Sequence, residues 1–363
     1  MITLIWIGFT QSLFIAILMF GKKDSTLPDR VLSGFLFLMA IEFLTCGIDY
    51  LIFNQPILSS SFLLFNPALF IYISALTRPH FRLQYRQLLH LLPFIGFELA
   101  SYIIKEPLSL DTYFDRDEQF WFRIVFGIAN LISWLVYNPL SLWLVHMHRM
   151  HLRNEKSSID ANENLGWVLV VSIFYVVYCI LAVVMAVLIF TGTINPLSLH
   201  FYNYAALLAM IYAMGFYGLR QQKLPTDTLS DRPPYQYSSL SEETKQLISK
   251  QIIQYIESEK PWLQSDFNMD SFSGALHIPK YQLTEVLNTT IGQNFFQFIN
   301  HYRVEAVKTM LTDPSNNYSI EAIGYECGFA SKSAFYSVFK KITRQTPVEY
   351  RNNPMLNTKI NKS

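Results

Sequence analysis

The chain has 363 residues, 51% of them hydrophobic and only 15% charged, with a formal net charge of +1 and a mean hydropathy of +0.23. It is oilier than an ordinary soluble enzyme. Its three cysteines, Cys46, Cys179 and Cys327, lie far apart with no C-x-x-C pair, which excludes a disulfide framework and a cysteine zinc site. The average hides the layout: up to Tyr217 charges come in short clusters between apolar runs, and from Arg220 onward they are spread evenly. Two proteins stand in series.

A bilayer core needs about 20 apolar helical residues. Seven segments meet or approach that length: 2–20, 31–53, 58–76, 87–104, 120–147, 165–191 and 198–218. The first has no basic stretch before it and no small-residue cleavage pattern, unlike a signal peptide. The fourth, short and carrying His90, Pro93 and Glu98, is the one whose pattern also suits a re-entrant segment. Lys22, Lys23, Arg30, Arg78, Arg82, Arg86, Arg149, Arg153, Lys156, Arg220 and Lys223 all fall in alternate loops, whereas the remaining loops lack basic residues or are dominated by acids such as Glu106, Asp115 and Asp117. Basic loops stay cytoplasmic, so the expected orientation is N-terminus out and C-terminus in.

Ionisable groups inside such spans usually face a bundle interior, a cavity or a partner. Glu42, Asp49, Glu98 and Arg123 are of this kind, and a pair between Arg123 and Asp49 or Glu98 would lock helices together. Asn66 before Pro67, and Asn130 with Ser133, add hydrogen-bonding groups near the same depth. Glu42, Asp49, Asn66, Glu98, Arg123 and Asn130 are therefore the candidates for contact with a small, partly apolar signal molecule. "HMHRMH" places His146 and His148 on opposite sides of a helix and His151 further on, which suits an interfacial anchor rather than a metal site. No phosphate loop, nucleophile elbow, H-E-x-x-H or dinucleotide fingerprint is present, so neither an enzyme nor a cofactor is expected.

The expected organisation is a multi-pass sensor domain over 1–220, a Pro/Ser/Thr/Asp-rich linker over 221–239, a connecting helix over 240–262, a DNA-binding domain over 263–355 and a basic tail over 356–363. Ser239 with Glu242 reads as a capping box opening the connecting helix. Its Ile248, Ile252 and Ile256 form a stripe for packing onto its own domain, or for a dimer seam. "FSGALHIPKYQLTEVLNTTIGQNFFQFI" (272–299) and "IGYECGFASKSAFYSVFKKITRQTPVEY" (323–350) then repeat one pattern of short helix, tight turn, second helix and aromatic terminus. Leu283 and Leu287 correspond to Phe335 and Phe339, Asn294 to Thr346, and Phe298 to Tyr350. Two helix-turn-helix motifs are indicated. The helix between them, with Phe295, Phe298, Ile299, Tyr302, Ala306 and Met310 as its apolar stripe, is long enough to present two recognition helices to successive major grooves. The fold class is thus all-α: a seven-helix transmembrane bundle followed by a cytoplasmic all-α domain with two such motifs.

Over Asp266–Arg351, and above all in "SIEAIGYECGFASKSAFYSVFKKITRQTPVEYR", the chain resembles the AraC/XylS family of transcription regulators. Ile323, Gly328, Phe329, Ser331, Phe335, Phe339, Lys340, Pro347, Tyr350 and Arg351 fall where that family's pattern expects them. Arg344 and His277 stand where it has glycine. The apolar N-terminal part resembles membrane-embedded members of the family by layout. The resemblance implies promoter or operator DNA as partner, RNA polymerase and a second copy of the chain as further partners, and a bacterial inner membrane as location. With Leu283, Val286 and Leu287 inward, Tyr281, Thr284, Glu285 and Asn288 become base-reading candidates. With Phe335, Val338 and Phe339 inward, Lys332, Ser333, Tyr336, Ser337 and Lys340 join them. Lys341, Arg344 and Arg351 are phosphate candidates; from Lys332 to Ser363 seven basic residues face one acid, Glu349. The competing reading is a transporter or receptor-like membrane protein whose cassette docks other proteins.

Overall fold

A computed structural model describes residues 2–53, 61–78, 80–108, 115–224 and 240–352, and divides into two compact units. The first takes Met1–His148 and Leu165–Leu229, the second Arg149–Asn164 and Ser230–Ser363. Among the described residues there is no strand, only an isolated bridge between Lys156 and Asn268.

The first unit holds α1 (Ile2–Phe20), α2 (Leu27–Ile48), α3 (Phe65–Thr77), α4 (Leu92–Ile104), α5 (Phe120–Glu155, whose last turns from Arg149 count with the second unit), α6 (Gly166–Phe190) and α7 (Pro196–Arg220). They overlap the seven expected apolar segments, but the third, Phe62–Thr77, is shorter than a span needs, and α7 is not among the stretches that meet the length and apolarity of one. Five stretches of the described chain are long and apolar enough to cross a membrane: Ile2–Phe20, Leu27–Phe53, Tyr85–Ile104, Phe120–Glu155 and Gly166–Phe190. The fourth apolar segment is split. A 3₁₀ stretch, Tyr85–Leu91, precedes α4, where Pro93 occupies the first turn that can spare its N–H.

Packing in this unit centres on α1, α2 and α7, with Met19, Leu32, Leu36, Met39, Phe43, Ile211 and Met214 fully or almost fully buried. Gly8 makes the α1–α2 approach possible: a Cβ there would stand 2.1 Å from the Phe43 ring. The polarity is inverted relative to a water-soluble domain. Phe14, Ile17, Phe20, Phe37, Ile103, Leu135, Val170 and Ile180 are exposed, while Ser12, Glu42, Asn66 and Arg123 are buried.

The second unit holds α8 (Glu242–Glu259), α9 (Met269–Leu276), α10 (Lys280–Val286), α11 (Phe295–Thr312), α12 (Ile320–Glu326), α13 (Lys332–Thr343) and α14 (Pro347–Asn352). The N-cap of α8 is Ser241, whose hydroxyl accepts from the Thr244 N–H at 3.2 Å, and not Ser239, which lies outside the described residues together with most of the linker and the basic tail. A hydroxyl on the residue just before the first helical one is placed to accept from the third helical N–H. The stripe Ile248, Ile252 and Ile256 packs into a core with Phe267, Phe272, Leu283, Leu287, Phe295 and Phe298. A second core gathers Val304, Val307, Leu311, Ile323, Phe329, Phe335, Phe339 and Tyr350. Helix α11 feeds the first core from its N-terminal half and the second from its C-terminal half. It is therefore buried on more than one face, where sequence foresaw a single stripe.

Left-handed backbone marks the turns. Gly328 has φ 85°, and a Cβ there would stand 2.3 Å from the Trp262 carbonyl oxygen, whereas Gly292, at φ 77°, has open space around it. His277 and Arg344 adopt the same conformation at φ 55° and 65° without being glycine. We expect Gly328→Ala to destabilise the second unit by about 2 kcal/mol or more and Gly292→Ala by about 1 kcal/mol. His277→Gly and Arg344→Gly should be neutral or stabilise slightly. Urea midpoints of the detergent-solubilised full-length chain measure this, and equal losses at the two glycines would remove the weight given to the Trp262 contact.

Candidate nucleic-acid interface

Each motif is built from capped helices. In the first, Asn268 caps α9 by accepting from the N–H groups of Asp270 and Ser271, both at 3.0 Å. The chain then turns at His277 into α10, which continues through a wider turn, Leu287–Ile291. In the second, Ser319 caps α12, Gly328 makes the turn, and Ser331 caps α13 by accepting from the Ala334 N–H at 3.2 Å. His277 lies six residues before Leu283, and Gly328 seven before Phe335, so the first turn is one residue tighter. The exits match as well. Asn294 and Gln297 cap α11 reciprocally at 2.9 and 3.1 Å, and Thr346 and Glu349 do the same for α14 at 3.3 and 2.7 Å. The correspondence between Asn294 and Thr346 is thus a shared capping role.

On α10 the inward residues are Leu283, Val286 and Leu287, all fully buried, and on α13 they are Phe335, Val338 and Phe339. Tyr281 and Asn288 are exposed on the first motif, as are Lys332, Ser333, Ser337 and Lys340 on the second, with Tyr336 half-buried. Two candidates do not reach the surface. Thr284 is buried and returns its hydroxyl to the Lys280 carbonyl at 2.8 Å, and Glu285 is 4% exposed with its carboxylate 3.3 Å from Lys245 of α8. The cause is tertiary: α8 packs across this flank of α10, which helix periodicity alone leaves open. Lys332 is exposed but engaged, 2.7 Å from Glu321 and over the Tyr336 ring; the bond to Glu321 holds its ammonium above the usual lysine range.

Among the phosphate candidates, Lys341 and Arg344 are exposed at the C-terminal end of α13. Arg351 is also exposed and donates to the carbonyls of Tyr318 and Asn316 at 3.3 and 3.5 Å. Sequence reasoning missed Lys280, the first residue of α10, which is partly exposed and lies 2.5 Å from Asp270 and 3.2 Å from Glu155. A basic residue at the head of a recognition helix was the available signal.

The intramembrane candidates are dispersed. Glu42 accepts from the Ser61 N–H at 2.6 Å, the Ser61 hydroxyl at 2.8 Å and the Tyr204 hydroxyl at 3.1 Å. Asn66 donates to Ser133 at 3.0 Å and keeps a buried Oδ1 without a donor. Asn130 bonds back to the Phe126 carbonyl of its own helix. Asp49 is buried, and Glu98 has one buried oxygen without a donor. Arg123 pairs with neither of them: its guanidinium meets Glu106 and Asp117, both at 2.5 Å, because the acidic connection after α4 folds back onto the start of α5. Among the described residues no group of His, Cys, Asp and Glu is placed to hold a metal ion.

Residues 272–353 match the family model described as a helix-turn-helix domain. An uncharacterized HTH-type transcriptional regulator of Escherichia coli (strain K12) is 29% identical over 24% of this chain and 30% of its own length. The xylose operon regulatory protein of the same strain is 26% identical over 37% of this chain and 33% of its own. An uncharacterized HTH-type transcriptional regulator of Staphylococcus aureus (strain COL) is 30% identical over 28% of this chain and 13% of its own. The chain thus spans a third or less of the length of these relatives. A solved structure of a protein from Listeria innocua is similar over 29% of this chain and 95% of its own, at 25% identity with a TM-score of 0.26.

The buried pair predicts a separable phenotype. Glu285→Gln and Lys245→Met should each lower stability, with a coupling of about 1 kcal/mol in the double-variant cycle, and neither should change which DNA sequence is preferred. A shift in base preference with Glu285→Gln would return that residue to the reading surface.

Proposed function

We propose that this chain, an AraC-type helix-turn-helix transcription regulator by its C-terminal part, is a one-component regulator held in a membrane by its first unit, which controls DNA binding by the second. The observation that carries the reading is the pair of equivalent capped motifs on one shared helix, each with an apolar face inward and a polar face outward. α11 has 18 residues and is about 27 Å long at 1.5 Å per residue. That length suits recognition helices entering major grooves one turn, roughly 34 Å, apart.

The inverted polarity of the first unit supports the membrane reading, since an exposed apolar surface with buried polar groups suits a hydrocarbon solvent. Lys22 supports the orientation. It lies 2.9 Å from Asp29 and donates to the Gln221 carbonyl at 2.7 Å, which brings the basic α1–α2 loop and the exit of α7 to one end of the unit. A bacterial inner membrane, with the second unit in the cytoplasm, fits that arrangement. RNA polymerase and a second copy of the chain are further partners on this reading.

The signal is a small molecule acting on α2, α3 and α5, where Asn66 offers a buried acceptor and Glu42 fixes the start of the α3 segment through Ser61. Glu42→Gln or Asn66→Ala should blunt the transcriptional response to the signal by about tenfold while leaving expression normal, a loss of about 1.4 kcal/mol in coupling. Full responses from both, with Asn130→Ala also silent, would remove this site.

The test of the function is selection of bound sequences from random and genomic DNA by the full-length protein in nanodiscs, across salt concentrations. A recurring motif with two half-sites about ten base pairs apart is expected. Loss of all binding at moderate salt with no enriched motif would favour a docking domain instead. Lys341→Ala and Arg344→Ala should weaken binding to all sequences alike and reduce the salt slope by about one, whereas Ser337→Ala should alter base preference at one position.

A further inference from the structure

The second unit takes in a segment that sequence assigns to the membrane part. Residues 149–164 leave the first unit after His148 and rejoin it at Leu165. At their centre Ser157, 1% exposed, is seated on α11. Its carbonyl accepts from Asn300 Nδ2 at 2.8 Å and from the Arg303 guanidinium at 3.1 Å, and its hydroxyl accepts from Arg303 at 3.1 Å and donates to the Phe267 carbonyl. Lys156 adds the antiparallel bridge to Asn268, the cap of α9. Both Asn300 and Arg303 are buried, so the seat is built from donors withdrawn from water.

Two residues before Ser157, Glu155 holds Lys280 at 3.2 Å. Burial lowers the Lys280 ammonium, but Asp270 and Glu155 outweigh it and raise the group above the ordinary lysine value. Lys280 begins α10, and the N-terminal end of a recognition helix is the part that reaches the groove. A DNA phosphate arriving there must compete with the Glu155 carboxylate and is repelled by it.

We propose that residues 149–164 form a docked strap, seated by Ser157 on Asn300 and Arg303, that holds Glu155 against Lys280 and weakens the grip of the first recognition helix on DNA. The strap is continuous with α5, an unbroken helix from Phe120 to Glu155, and is followed by α6. A shift of α5 that lifts Glu155 removes one of the two carboxylates facing Lys280, leaving Asp270 at 2.5 Å and one negative charge fewer against an arriving phosphate. The strap rests on the regulator reading and adds its direction: docked, it opposes DNA binding.

The experiment uses full-length protein in nanodiscs with the DNA sequence selected by the wild type. Glu155→Gln should raise affinity about fivefold near 0.1 M salt and steepen the slope of log K against log salt by about 0.9, one counterion more. In a Lys280→Gln background the same substitution should not steepen the slope. Amides around Ser157 should exchange hydrogen faster when DNA is bound, because binding and docking oppose each other. If the wild type binds its motif while Glu155→Gln changes neither affinity nor slope, or the strap amides exchange equally with and without DNA, the strap is overturned and the regulator stands. If the wild type selects no motif, the regulator reading fails and the strap falls with it.

Discussion

A guanidinium with no exposed surface organises the second unit. Arg303 donates to the carbonyls of Trp262 at 2.7 Å and Gln264 at 2.8 Å as well as to Ser157, and it lies over the Phe329 ring at 5.9 Å. An unpaired charge taken out of water would cost several kcal/mol. Here the cost is offset by carbonyl and hydroxyl oxygens drawn from distant parts of the chain, and burial still brings the group down to about 10. One side chain therefore fixes the connection after α8, the segment 149–164 and the position of α11. The requirement propagates further. Because Arg303 holds the Trp262 carbonyl in place, the turn of the second motif has no room beside it for a Cβ, and Gly328 is the residue that fits.

Much of the DNA-binding part was legible because its determinants are local. The correspondence of Asn294 with Thr346 is a shared cap, and apolar spacing gave the inward faces of α10 and α13 correctly. His277 and Arg344 were recognisable as turn positions through the glycines they replace, and both are left-handed. What failed depends on partners far along the chain. Glu285 reads as a surface residue on its own helix until Lys245 is laid across it. The bond between Arg303 and Ser157 spans 146 residues, and no periodicity encodes it. Arg123 was expected to meet acids within the helices, yet the acids that reach it belong to a connection, where chain direction rather than helix geometry decides the partner.

The first unit has an exposed apolar surface that suits a different solvent. In hydrocarbon, apolar surface gives no penalty outside, and the discriminating interactions are close helix contacts and polar groups satisfied internally. Phe43 against Gly8 is a contact of the first kind. Glu42 is of the second, its oxygens supplied by Ser61 and Tyr204, which tie α2 to the entry of α3 and to α7. Such a group resists movement as it stands. Its hydrogen bonds join three segments at one carboxylate, which is the property the proposed sensing role draws on.

The way the chain is threaded decides how a movement of that unit can travel. Residues 225–239, rich in Pro, Ser, Thr and Asp, are one connection along the chain between the parts. The connection through α5 is of another kind, because that helix runs without interruption from Phe120 to Glu155. Pro139 lies within it, where a missing N–H and ring crowding favour bending. Beyond that point the helix ends at Glu155, the residue facing the head of the first recognition helix. On the proposed reading, what a movement of α5 would change is whether that carboxylate stands at Lys280, a step carried by electrostatics rather than refolding.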